Sequence, residues 1–120
     1  MLEYTFKEGG ETMNQLILVG RLTKDPELNV VEDEKKVSSV TLAVQRPFKN
    51  IDGTYDTDFV RCILWNAVAE ATVEYCHKGD CIGVKGRIQS VSYEDEEKNK
   101  KTYLEVIADR VMFIGSNKSN

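Results

Sequence analysis

Residues 59–65 read Phe59-Val60-Arg61-Cys62-Ile63-Leu64-Trp65, "FVRCILW", too apolar for a loop and too short for a membrane span. At the strand period of two, Val60, Cys62 and Leu64 point one way and Phe59, Arg61, Ile63 and Trp65 the other. The first side is aliphatic and belongs in a core. The second sets a guanidinium among two aromatics and an isoleucine, a face that is odd against water and odder still if it is covered without a carboxylate. An arginine so placed wants an anion or a stacked flat ring, so this strand predicts a sheet with one buried face and one face that touches something.

Upstream, "QLILVGRL" (15–22) is a second apolar strand, with Gly20 marking a bulge or sharp bend and Asp25-Pro26 closing it. Residues 37–46 alternate, with Val40, Leu42 and Val44 on one face and Ser39, Thr41, Ala43 and Gln45 on the other, as a half-buried strand does. The polar stretch 47–58, with Asn50 and Asp52-Gly53 as turn chemistry, predicts a long hairpin loop on which Phe48 and Tyr55 stand out. Residues 66–78 are the one helix: Asn66 is placed to cap it, Val68, Thr72 and Tyr75 share a side, and Gly79 is placed to end it. "CIGVKGRIQSVSYE" and "KTYLEVIADRVMFI" then give two more strands around an acidic and lysine-rich turn, 94–101. Three strands, a short helix and two strands predict an all-β fold with one short helix: an OB fold, the five-stranded Greek-key barrel that carries its helix between the third and fourth strands. An open antiparallel sheet with a helix across it is the structural rival.

The chain has 120 residues, 41% hydrophobic and 30% charged, which suits a single domain. The domain is expected over 13–114. Residues 1–12 read as a flexible leader, a vector remnant or an upstream start before Met13, and 115–120 as a loose polar end. Cys62, Cys76 and Cys81 are odd in number, form no C-x-x-C pair and follow no secretory signal, which predicts reduced thiols in a cytoplasm. Cys76, His77 and Cys81 lack a fourth ligand at a metal spacing, so no metal and no cofactor is expected. The net charge of −4 argues against a protein coated in positive charge, but two acidic clusters, 32–34 and 94–97, fall in turns and say little about any one face.

In the fourth strand Ile82, Val84 and Ile88 share a side, opposite Lys85, Arg87, Gln89, Val91 and Tyr93, if no bulge intervenes at Gly86. Two strands thus interleave cations with aromatics, the arrangement that suits single-stranded nucleic acid, where cations follow phosphates and rings stack on bases. Parity alone serves a subunit contact or plain sheet packing as well.

Taken in order, "MNQLILVGRLTKDPEL", "VTLAV" followed by an arginine, "DGTYDTDFVRCILW", "AEATVEYCHKGD" and "VKGRIQSVSYED" resemble the bacterial single-stranded DNA-binding proteins from about Met13 to Ile114. The resemblance implies an OB fold, a homotetramer, and wrapping of single-stranded DNA without regard to sequence, protecting it in replication, recombination and repair. Carried over position by position, the family's stacking aromatics correspond to Phe48, Phe59, Trp65 and Tyr93, the arginine between the middle pair to Arg61, set for phosphate, and the lysine before the helix-closing glycine to Lys78. Lys85 and Arg87 join them from the strand pattern. Family members commonly continue into a glycine- and proline-rich tail with an acidic tip that recruits repair and replication enzymes. This chain stops at "GSNKSN", so a truncated or tail-less relative is expected and such partners are in doubt. No membrane partner is expected, and the place is the cytoplasm, on the nucleoid. A dimeric primosomal restart protein is the alternative within binding proteins. A barrel that contacts only proteins is a third reading, and a catalytic one has no serine, cysteine and acid grouping around the single His77 to stand on.

Overall fold

The structure, a computed structural model, describes residues 12–116. Nearly all of the leader expected over 1–12, and the end from 117 onward, lie outside the described residues. The elements in order are β1 (Leu16–Leu22), β2 (Asn29–Val30), a 3-10 turn (Glu32–Glu34), β3 (Lys36–Lys49), β4 (Tyr55–Trp65), α1 (Asn66–Tyr75), β5 (Cys81–Glu94) and β6 (Lys100–Gly115). The strands run β1-β5-β6-β4-β3, and β1 also pairs with β3, so five strands close into a barrel while two-residue β2 adds to β3's edge. Every pairing is antiparallel except β4 with β6, where Cys62 faces Val106 and Ile63 faces Ile107. This closed barrel with a helix before its last two long strands is the OB fold expected, and the open-sheet rival is excluded.

The inward sides of the strands fill the barrel. Leu42, Leu64, Ile82, Val84 and Cys62 are completely buried, each aliphatic side chain contributing roughly 1.5–3 kcal/mol of burial. Burial pushes the Cys62 thiol up to about 11, so it behaves as a small core hydrophobe. All three cysteines are free thiols, with Cys62 and Cys76 buried.

Two glycines let the barrel close. β1 leaves β5 and meets β3 around Arg21 and Leu22, and a Cβ on Gly20 would lie 2.7 Å from the carbonyl oxygen of Ala43. Gly86 lies so close to β6 that a Cβ would overlap the carbonyl oxygen of Ile107. The suspected irregularity is there, but β6 carries the extra residue: Lys85 pairs with Arg110 and Gly86 with Ala108, leaving Asp109 unpaired. β5 therefore keeps its alternation.

Several local expectations are corrected. The long loop over 47–58 is mostly strand: β3 runs to Lys49 and β4 starts at Tyr55. The turn between them is closed by Asn50, whose main-chain carbonyl accepts the N–H of Gly53 and whose own N–H donates to the carbonyl of Thr54. This ribbon projects beyond the barrel, so its polar alternation buries neither face. Pro47 falls inside a register shift between Gln45 and Lys49, where its missing N–H breaks no ladder. The helix stops at Tyr75 rather than Lys78, and Gly79, at φ 87°, serves the turn beyond it. Asn66 does not cap it. Trp65 occupies the cap position, while Asn66 takes φ 50° and accepts the N–H of Lys36. The chain passes straight from strand to helix, and asparagine tolerates that left-handed step. Ala69 and Thr72 face the core, and Tyr75, expected on one side with Val68 and Thr72, is exposed while Thr72 is buried. β6 also runs through Gly115, where the loose end was expected to begin.

Candidate nucleic-acid interface

Side chains of paired residues stand on the same face of a sheet, so the register builds the outer wall row by row. Across β3 and β4, Val37 faces Trp65, Ser39 faces Ile63, Thr41 faces Arg61 and Ala43 faces Phe59. The parallel pairing sets Ile63 beside Ile107, and hence Arg61 beside Glu105. Across β6 and β5, Ile107 faces Arg87, Glu105 faces Gln89, Tyr103 faces Val91 and Lys101 faces Tyr93. One wall thus carries Trp65, Arg61, Phe59, Tyr103, Arg87 and Tyr93.

Its aromatics are open to solvent in a way that core aromatics are not. Phe59 is 69% exposed, Tyr93 51%, Trp65 40% and Tyr103 39%. Tyr93 and Tyr103 meet edge to face with centroids 6.0 Å apart, which holds both rings in place. Between Arg61 and Trp65, Ile63 is buried outside the core cluster, flooring the wall.

The arginine whose partner the sequence left open has a carboxylate: Arg61 Nε lies 3.7 Å from Glu105 Oε2. Arg87 donates from Nη1 to Gln89 Oε1 at 2.9 Å. On the ribbon, Arg46 forks onto Asp58 with contacts of 2.8 to 3.2 Å, and that hydrogen-bonded guanidinium holds the Asp58 carboxyl below its usual range. By alternation this pair lies on the ribbon side away from Phe59 and Tyr55.

The other expected residues stand off these rows. Phe48, 69% exposed, precedes Lys49, whose partner is Tyr55, so alternation turns it to the far side of the ribbon. Lys85 is half-buried between Ile17 of β1 and Arg110 of β6. Lys78 lies in the turn after α1, where its N–H bonds Asp25 at 2.7 Å and the neighbouring His77 N–H bonds Asp80 at 2.8 Å. Two wall residues were missed, Tyr103 and Glu105 on β6, and Tyr55, noticed in the sequence but given no role there, is 43% exposed with the Lys49 ammonium 5.9 Å from its ring centre. Alternation along "TYLEVI" would have paired Tyr103 with Glu105 on one side, but nothing local says which strand lies beside them.

The profile of the single-strand binding protein family matches residues 13–114. The chain belongs to that family. It is 52% identical over 101 residues to single-stranded DNA-binding protein B of Bacillus subtilis (strain 168), a match covering 84% of this chain and 89% of that protein. It is 42% identical over 104 residues to single-stranded DNA-binding protein 3 of Listeria innocua, covering 87% of this chain and 65% of the relative. It is 43% identical over 102 residues to the single-stranded DNA-binding protein of Halalkalibacterium halodurans, covering 85% and 61%. The chain therefore spans most of the first relative and less than two thirds of the other two. The matched region covers nearly the whole barrel, so the wall of exposed rings lies within it. None of these relatives is named as a primosomal protein. Among the described residues no helix is long and apolar enough to cross a membrane.

Proposed function

We propose that this protein binds and protects single-stranded DNA without reading its sequence, in replication, recombination and repair. The observation that carries this is the wall on which Phe59, Trp65, Tyr93 and Tyr103 are exposed on one side of three neighbouring strands, β4, β6 and β5. Rings stack on any base, each worth about 1–3 kcal/mol, while cations follow the backbone. Phe48, Lys78 and Lys85 extend the path away from the wall, onto the ribbon, the helix turn and the β1 side. Association is non-catalytic, and the cytoplasm, where DNA and reduced thiols coexist, is its place.

Unstructured oligothymidine should bind orders of magnitude more tightly than a duplex of equal length, because a B-form duplex hides the faces that stack. Equal binding to both would sink the proposal. Salt should weaken the complex with a slope of about −0.7 per neutralised phosphate, leaving an appreciable stacking part at high salt. Complete release at moderate salt would indicate an adventitious basic patch instead.

The assembly we propose is a homotetramer. β1 is apolar on both sides: Leu22 is buried, yet Ile17 is 64% and Val19 49% exposed. Val19 pairs with Gly83, and Gly83 with Met112. A Cβ on Gly83 would touch Met112 Cε at 3.3 Å and Ile114 Cδ1 at 3.4 Å, so both side chains lean over it. This outward apolar strip wants cover that one barrel does not provide. Light scattering should give four chains per particle at micromolar concentration, and Val19→Glu should dissociate it. A wild-type monomer would refute the assembly, and a stable dimer would revive the primosomal alternative.

A further inference from the structure

The Arg61–Glu105 pair sits in the middle of the stacking wall, and its geometry is lopsided. The Glu105 side chain is only 10% exposed and that of Arg61 54%, with a single contact of 3.7 Å between Nε and Oε2. That is too long for a hydrogen bond. The outer fork of the guanidinium, the part that grips a phosphate, has no protein acceptor among the described residues. Glu105 is fixed from below, since Val106 beside it is in the core. Its partner on β5, Gln89, accepts Arg87 Nη1 at its side-chain oxygen.

A carboxylate is an expensive group to keep on a surface for a polyanion. Opposite charges this close present a phosphate several ångströms away with a small dipole, not a cation. We propose that Glu105 neutralises Arg61 and thereby sets the net charge at the middle of the wall to zero. The middle of the wall then holds bases by stacking, and phosphate attraction falls to the rim, where Arg87, Lys101 and Lys49 have no carboxylate partner among the described residues. Glu105 is thus a residue that limits affinity and salt dependence rather than one that grips DNA. This inference rests on the single-stranded DNA reading.

The test is titration with oligothymidine across a range of salt for wild type, Glu105→Gln, and Glu105→Gln with Arg61→Gln. Neither variant strands a buried charge, because Arg61 alone is solvated. Glu105→Gln should bind more tightly at low salt, with a slope steeper by about 0.7, one added phosphate contact. The double variant should return to the wild-type slope. If Glu105 is inert, the single variant will match wild type and the double will be flatter by about 0.7. If Glu105 merely positions Arg61, the single variant will bind more weakly. Either result overturns the inference while leaving the DNA reading intact, whereas a wild type that ignores oligothymidine removes both. Should Glu105→Gln fail to fold, the slope of the double variant still decides between neutralisation and an inert carboxylate.

Discussion

Phe59→Ala weakens oligothymidine binding by about 1–3 kcal/mol, roughly five- to 150-fold, with little preference among base sequences. The side chain is 69% exposed on β4 between Ala43 of β3 and the β6 side of the wall. Its removal opens no cavity, so the melting temperature should stay near that of wild type. Binding and folding are therefore separable at this position. Trp65 is the only tryptophan, and its 40% exposure leaves a ring face for a base. Oligothymidine should quench its emission, and Trp65→Ala should lose a similar amount of affinity. Because Trp65 also stands at the helix cap position opposite Val37, that variant should lose some stability as well. An unchanged spectrum at saturating oligonucleotide would take Trp65 off the DNA path, and Phe59→Ala with wild-type affinity would remove the wall itself.

Gly86→Ala should be strongly damaging for a single added methyl. Its Cβ would overlap the carbonyl oxygen of Ile107, with Ile107 C and Ala108 Cα also within 3.1 Å. Backbone cannot swing aside as a side-chain tip can, so β5 and β6 must part where the wall and the core share a strand. Overpacking of this kind costs about 3 kcal/mol or more, a fall of roughly 10–20 °C in melting temperature for a domain of this size. Gly53→Ala is the contrast. Its φ is 88° and its Cβ would meet nothing within 4 Å, so only the left-handed conformation is penalised, by about 1 kcal/mol. Thermal unfolding that ranked the two variants equally would show that the close approach at Gly86 does not constrain the barrel.

The strands of the core were legible because each is a local pattern with one buried side. FVRCILW announced an aliphatic face and an interactive one, and Val60, Cys62 and Leu64 do turn inward while Phe59 and Arg61 turn out. The helix was legible as an element and at its first residue, Asn66, but not in its last turn, and Asn66 serves the start by accepting the N–H of Lys36 rather than by capping. The ribbon was not legible as strand. A hairpin that projects into solvent has no buried side to imprint a period, and its order comes from the main-chain ladder and the Arg46–Asp58 fork.

By itself, then, the sequence determined which residues share a side of their own strand, where the chain bends, and which aromatics are available to stack, because side-chain alternation is a property of a single strand. Only the tertiary structure decided which strands are neighbours. β1 reaches both β5 and β3, and β6 runs parallel beside β4. Barrel closure joins residues distant along the chain, and no periodicity within either strand records that pairing or its register. That is why Tyr103 enters the wall of exposed rings, and why the arginine in the middle of FVRCILW already has Glu105 beside it.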